Sequence, residues 1–289
     1  MLLRHKILSL NGTLSSFENK RPMQQKLRIG FIGTGRIAQA LIGGMSNSPK
    51  FTLFGYDKEA TALATVAANY PLQPCSSIAE VGSSADVIIL AVKPYQIADV
   101  LAELKSTLQP SHLLISVAAG ISTTFMAEWT SPETRIVRAM PNTPMLVGLG
   151  MTALCCGTQA TSEDMACAVE LFSAAGRTVV LDEVQMDGAT AVSGSGPAYM
   201  FYLLEALAKG GEACGLVYAD ALLLASQTML GAATMVMQSS KSPAELQHDV
   251  TTPGGTTEAG LRVMDVKQVS DAMQQCVAAA AARSRELMK

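Results

Sequence analysis

A short apolar strand that breaks into a glycine-rich turn and then a small-residue helix constrains this chain most. Residues 27–32, LRIGFI, are rich in branched side chains and suit a strand buried on both faces. Gly33-Thr34-Gly35-Arg36-Ile37-Ala38 follows at once and matches G-x-G-x-x-A, with a helix expected over Ile37–Met45. The first glycine permits the tight turn, the second lets the backbone approach a pyrophosphate, and Ala38 allows close helix–strand packing. The helix start adds free N–H groups and a dipole favourable to phosphates. The competing reading is a glycine turn without a ligand, and the strand–turn–helix context weighs against it.

The same alternation continues downstream. FTLFGY (51–56), DVIILAV (86–92), LLISVAA (113–119) and TRIVRAM (134–140) read as further buried strands, with helices over 60–69 and 96–108. Alternating strands and helices imply parallel strands joined by right-handed crossovers. MTALCC (151–156) and RTVVLD (177–182) extend the sheet. After Asp182 the strands stop, and 198–215, 219–239 and 269–288 read as helices crowded with Ala, Leu and Met. Ser242-Pro243-Ala244-Glu245 is a helix start with Ser as N-cap, Pro at the first position and Glu closing a capping box. The expected fold is therefore α/β, a doubly wound, mostly parallel dinucleotide-binding domain over 26–182 followed by an all-helical domain over 183–289. Residues 1–25 form an N-terminal extension, expected to be poorly ordered, and Met23 sits where a natural start would fit.

Composition narrows the function. The chain has 289 residues, of which 49% are hydrophobic and only 16% charged, below the roughly 25% of an ordinary globular protein. That is too little charge to coat two separate domains, so surface is expected to be buried between subunits. No continuous apolar run approaches membrane-span length, and Tyr199–Ala208 reads as the most apolar helical stretch. The expectation is no membrane. A net charge of −3 without a basic cluster argues against nucleic acid. Six cysteines without C-x-x-C spacing and three scattered histidines suggest neither a metal site nor a Cys–His pair, and reduced thiols fit a cytoplasmic protein.

Several segments converge on the carboxyl edge of the expected sheet, where open parallel sheets bind ligands. Asp57, ending the second strand, sits where an acid accepts the ribose hydroxyls, whereas the adjacent Lys58 would attract a 2′-phosphate; the pair leaves NADH and NADPH both open. Val92-Lys93-Pro94, Ala118-Ala119-Gly120 and Met140-Pro141-Asn142-Thr143-Pro144 all follow strands. The two prolines of the last segment make a rigid turn presenting Asn142. In the helical region, Val250-Thr251-Thr252-Pro253-Gly254-Gly255-Thr256-Thr257-Glu258 clusters backbone N–H donors at a helix start, which suits a small carboxylate or phosphate. A hydroxyl from Thr256 or Thr257 could reach the same ligand. The bland alternative is a turn with a threonine cap. His248 reads as a surface or packing residue.

GFIGTGRIAQAL, AVKP, RAMPNTP, SGSGPAY and TTPGGTTEAGL occur here in order. Together they resemble pyrroline-5-carboxylate reductase, from about Lys26 to Leu287. The resemblance implies a Rossmann-like domain and a helical domain that builds an intertwined homodimer, with higher oligomers such as a decamer known to the family. It implies hydride transfer from NADPH, with NADH also usable, to 1-pyrroline-5-carboxylate, giving L-proline. Pro253, Gly254, Gly255, Thr256 and Thr257 would then bind the substrate, with Thr257 on the ring nitrogen. Gly33, Thr34, Gly35, Arg36, Ile37, Asp57, Lys58, Val92, Lys93, Pro94, Met140, Pro141 and Asn142 would line the cofactor, Lys93 lying close to the reaction. One departure stands out: family members often carry an acid shortly before the Ser-Pro helix, where this chain has Ser239-Ser240-Lys241. A related imine reductase, a 3-hydroxyacid dehydrogenase using a helical lysine such as Lys209, and a non-catalytic NAD(P)-sensing protein are the alternatives.

Overall fold

A computed structural model describes residues 26–287. The extension over 1–25, with Met23, lies outside the described residues. The chain divides into two compact units: one runs to Gly194 and takes in the chain from Ala282, and the other spans Ser195–Ala281.

The first unit is built on eight strands: β1 (Leu27–Ile32), β2 (Phe51–Tyr56), β3 (Leu72–Pro74), β4 (Val87–Leu90), β5 (Leu113–Ser116), β6 (Arg135–Met140), β7 (Gly150–Cys156) and β8 (Gly176–Val180). Their order in the sheet is β3-β2-β1-β4-β5-β6-β7-β8. The first six run parallel, but β7 is antiparallel to β6 and carries β8 with it. The sheet is thus mostly parallel, with a reversed pair at one edge.

Helices cover both faces. They are α1 (Arg36–Met45), α2 (Ala60–Asn69), α3 (Ile78–Ser84), α4 (Ile97–Leu104), α5 (Thr123–Trp129), α6 (Ser162–Ser173) and the single turn α7 (Met186–Ala189). Strand side chains alternate between faces. Ile29, Phe31, Ile89, Ile115 and Val137 pack with Leu41, Ile42 and Met45 of α1 and Leu171 and Phe172 of α6. Ile32, Ile88, Leu90, Leu114 and Ile136 pack with Val81 of α3, Leu101 and Leu104 of α4 and Met126 of α5. A strand buried on both faces has no polar side to show, which is why these segments read as unbroken apolar runs.

The second unit holds α8 (Gly196–Ala213), α9 (Tyr218–Gln238), α10 (Pro243–Asp249), α11 (Thr256–Val266) and most of α12 (Val269–Leu287). Ser242 caps α10 through the capping box expected from the sequence. Within Ser195–Ala281 the buried apolar side chains are only Ala208 and Ala221, while Phe201, Tyr202, Leu223, Leu224 and Val263 are exposed. The sequence expectation for membrane-length segments needs correction here. Taken as a 21-residue helix, α9 is long and apolar enough to cross a membrane by length and composition, with a mean hydropathy of 1.3. Asp220, Gln227 and the interspersed Ser and Thr break the run in sequence but leave the helix apolar on average. The tail of α12 packs in the first unit, where buried Ser284 donates a 2.6 Å hydrogen bond to Asp187.

Candidate active site

β1 lies between β2 and β4, so chain connections leave it in opposite directions and open a crevice at the carboxyl edge. Gly33 closes the strand there with φ +91°, and a Cβ at this position would lie 2.7 Å from the Ala91 carbonyl oxygen. Its N–H donates to Tyr56 O at 2.8 Å, tying the turn to β2. Gly35 differs: a Cβ there would meet nothing within 4 Å. Protein packing therefore does not require glycine at 35, and its bare backbone faces open space. Gly35 caps α1 with no side-chain cap, and the first turn, beginning with Arg36 and Ile37, has no acid. Free N–H donors, a positive helix end and room above Gly35 together fit the pyrophosphate of a dinucleotide.

Asp57 is used differently from a free ribose acceptor. Its Oδ2 accepts from Thr34 N at 2.6 Å and Thr34 Oγ1 at 2.9 Å, and its Oδ1 accepts from Glu59 N at 3.0 Å. Thr34 is fully buried. Gln39 Nε2 donates to the Thr34 carbonyl at 2.9 Å, so both ends of this residue are held. The carboxylate clasps the glycine turn, with room for about one further donor. Lys58 beside it is exposed.

Val92, Lys93 and Pro94 leave β4 at the same edge, and Lys93 is exposed at the head of a short 3₁₀ turn, Pro94–Gln96. Met140 ends β6, and Pro141 and Asn142 follow. The Asn142 side chain is fully engaged. Its Oδ1 accepts from Met151 N at 2.8 Å, and its Nδ2 donates to Ser193 O and Oγ at 3.2 Å each. Asn142 thus ties the loop after β6 to the start of β7 and to the turn before α8. The rigid presentation expected of Pro141 and Pro144 comes equally from this three-way bond, and the amide has no donor left over.

In the second unit, the loop before α11 has the expected character. Gly254 has φ +73°, Gly255 caps α11 without a side-chain bond, and Gly255 N–H returns to Thr252 O at 2.9 Å. Thr256 and Thr257 open the helix, where the first N–H groups have no intrahelical acceptor. Thr257 is half-buried and its hydroxyl has no hydrogen-bond partner among the described residues. Glu258 was not singled out from the sequence, yet its Oε2 accepts from Gly254 N at 2.7 Å. Lys241 pairs with Asp249 at 2.5 Å, so the lysine standing near the position of the absent family acid is itself ion-paired.

A second group escaped the sequence. Arg138 of β6 is buried and reaches Glu183 at 3.3 Å, and Glu183 also accepts from Thr123 N at 2.8 Å and Thr123 Oγ1 at 2.5 Å. Burial pushes the neighbouring Cys155 thiol up to about 12, so it carries no thiolate at neutral pH. His248 is exposed in the last turn of α10, and Lys209 is exposed and paired with Glu205 at 3.0 Å. No group of three metal-binding side chains occurs among the described residues. A cavity of about 360 Å³ lies at the opposite, amino edge, lined by Arg28, Asp86, Thr107 and His112. It contains none of the convergent glycine-rich turns, and the carboxyl-edge crevice is the better candidate.

Sheet order, glycine turn and uncapped helix define a dinucleotide-binding protein of the Rossmann-like class. The family described as "NADP oxidoreductase coenzyme F420-dependent" matches residues 28–120, and "Pyrroline-5-carboxylate reductase dimerisation" matches 183–287. A pyrroline-5-carboxylate reductase of Arabidopsis thaliana is 42% identical over 269 residues, covering 91% of this chain and 96% of the relative. The structure of a pyrroline-5-carboxylate reductase from Coxiella burnetii aligns with TM-score 0.86 at 33% identity, covering 92% of this chain and all of that one. The Plasmodium falciparum enzyme, with NADP bound, aligns with TM-score 0.82 at 32% identity over 91% and 98% of the two chains. The chain belongs to the pyrroline-5-carboxylate reductase family. It is accordingly an NAD(P)H-dependent reductase, and its helical region is a dimerisation domain.

Proposed function

We propose that this chain reduces 1-pyrroline-5-carboxylate to L-proline with two sets of residues, a cofactor crevice in 26–182 and a carboxylate loop in 183–289. The observation that carries the second set is the Pro253–Thr257 loop, which pairs unsatisfied helix-start N–H groups with an unpartnered Thr257 hydroxyl. The bound reduced nicotinamide supplies a hydride to the imine carbon. Gly35, Arg36 and Ile37 hold the pyrophosphate on a turn that buried Gly33 and Thr34 shape from beneath, their N–H groups being spent on Tyr56 O and Asp57, and Lys58 favours a 2′-phosphate beside Asp57. Val92, Lys93, Pro94, Met140 and Pro141 line the nicotinamide end, with Asn142 fixing that wall.

The loop N–H groups take the substrate carboxylate. Thr257 hydrogen-bonds the ring nitrogen, which takes a proton from solvent to form the iminium and becomes the neutral secondary amine as the adjacent carbon gains the hydride. A protonated imine is already electrophilic, so positioning does most of the work and neither a metal nor a strong acid is needed. Substituting Thr257→Ala is expected to lower kcat roughly ten- to two-hundredfold, for a transition-state hydrogen bond of about 1.5–3 kcal/mol, with little change in NADPH affinity. Unaltered turnover in that variant would remove Thr257 from the mechanism.

The helices of two copies interlock to cover the exposed apolar faces of α8, α9 and α11, and the carboxylate loop of one copy serves the crevice of the other. Such dimers assemble further, toward a decamer. The cytoplasm is the fitting compartment, a placement supported by six free cysteines.

A further inference from the structure

We propose that Glu258 is a built-in competitor for the substrate's carboxylate, occupying the anion loop until substrate displaces it. The inference rests on the carboxylate role proposed above for Pro253–Thr257. Within that loop Pro253 has no N–H, and Gly255 N–H is spent on Thr252 O at 2.9 Å. Gly254, with φ +73°, offers an N–H beside the free helix-start N–H groups of Thr256 and Thr257, and Glu258 Oε2 accepts it at 2.7 Å. That length is typical of a bond assisted by the negative charge of the acceptor. The loop therefore already binds a carboxylate, one that the chain itself supplies from four residues downstream.

Two consequences follow for a small carboxylate ligand. It must displace Glu258 from Gly254 or share the helix start with a second negative charge. In the first case the apparent affinity falls by the fraction of time the loop is free; in the second, like-charge repulsion weakens binding directly. The same glutamate lies in the first turn of α11, where it also stabilises the helix by capping and by the dipole. Capping alone predicts a less stable α11 on mutation and no gain in substrate affinity. Competition predicts a gain. The ligands affected are those carrying the group that Glu258 mimics, so substrate and the product L-proline shift together while the cofactor does not.

The test compares wild type, Glu258→Gln and Glu258→Ala in the full chain. KM for 1-pyrroline-5-carboxylate is measured at saturating NADPH, with the inhibition constant of L-proline and the thermal midpoint. Glutamine keeps an oxygen for Gly254 but removes the charge; alanine vacates the position. Both constants are expected to fall about three- to tenfold in the alanine variant and less in the glutamine variant, with kcat and the KM for NADPH held. Unchanged or raised KM in a folded alanine variant overturns the proposal. Should alanine prevent folding, an unchanged or raised KM in the glutamine variant, which retains the cap, does the same. A wild-type enzyme inactive on 1-pyrroline-5-carboxylate overturns the function and this proposal with it; an active one with an indifferent Glu258 overturns only the latter.

Discussion

Asp57 illustrates how one residue supports two chemistries until its neighbours are known. An acid at the end of β2 that accepts both ribose hydroxyls would select NADH. Here its oxygens instead hold Thr34 N–H, Thr34 hydroxyl and Glu59 N–H, so the carboxylate first of all shapes the glycine turn. Removing it leaves the buried Thr34 N–H without an acceptor, a cost of about 1–3 kcal/mol. In Asp57→Ala, kcat/KM is therefore expected to fall by similar factors, about tenfold or more, for NADPH and NADH alike. A loss confined to NADH with a gain for NADPH would instead establish Asp57 as the ribose-reading residue. The exposed Lys58 next to it is the residue left to favour the phosphorylated cofactor, and Asp57→Ala leaves that contribution in place.

At the scale of elements, legibility follows how local each cause is. β1, β2, β4, β5 and β6 were readable because burial on both faces writes itself as a short run of branched residues. The run MTALCC was equally visible, but apolar composition carries no direction, and the reversal of β7 is set by the turn around Gly148, which has φ +74°. β3 was missed because it is three residues long and buries only Leu72. The capping box of α10 was read correctly since its partners are three residues apart. Asn142 was read as presented by a rigid turn and lining the cofactor, and its bracing bond went unseen, because its partner Ser193 lies 51 residues away and no spacing rule joins them. Likewise, nothing local accounts for Arg138 within the strand read over 134–140; its partner, Glu183, is 45 residues downstream. The turns at Gly33 and Gly254 were legible because glycine at positive φ is a local demand. Glu258 was invisible in that loop because the same spelling, Thr-Thr-Glu, also describes an ordinary helix start.

For the whole molecule, the low charge content and the helical unit state the same fact. Ser195–Ala281 buries the side chains of only Ala208 and Ala221 among its apolar residues, far from the core that a stable helical domain requires. A second copy resolves this, and the dimerisation family to which 183–287 belongs supplies the class of interface. If the loop of one copy serves the crevice of the other, two inactive variants should complement: Gly35→Asp, which sets a negative charge against the pyrophosphate, and Gly254→Ala with Thr257→Ala. Co-refolded at equal amounts, half the dimers are mixed and each mixed dimer has one intact site, so activity should approach about a quarter of wild type. Mixed dimers confirmed by mass spectrometry but without activity would place both parts of a site in one chain. The most direct measurement is simpler. The full chain is supplied with 1-pyrroline-5-carboxylate and NADPH carrying deuterium at the transferable position of the nicotinamide, and the product is identified. The expected result is one L-proline formed per NADPH oxidised, with deuterium at its C5; cofactor oxidation without proline, or no substrate-dependent oxidation, would contradict the account.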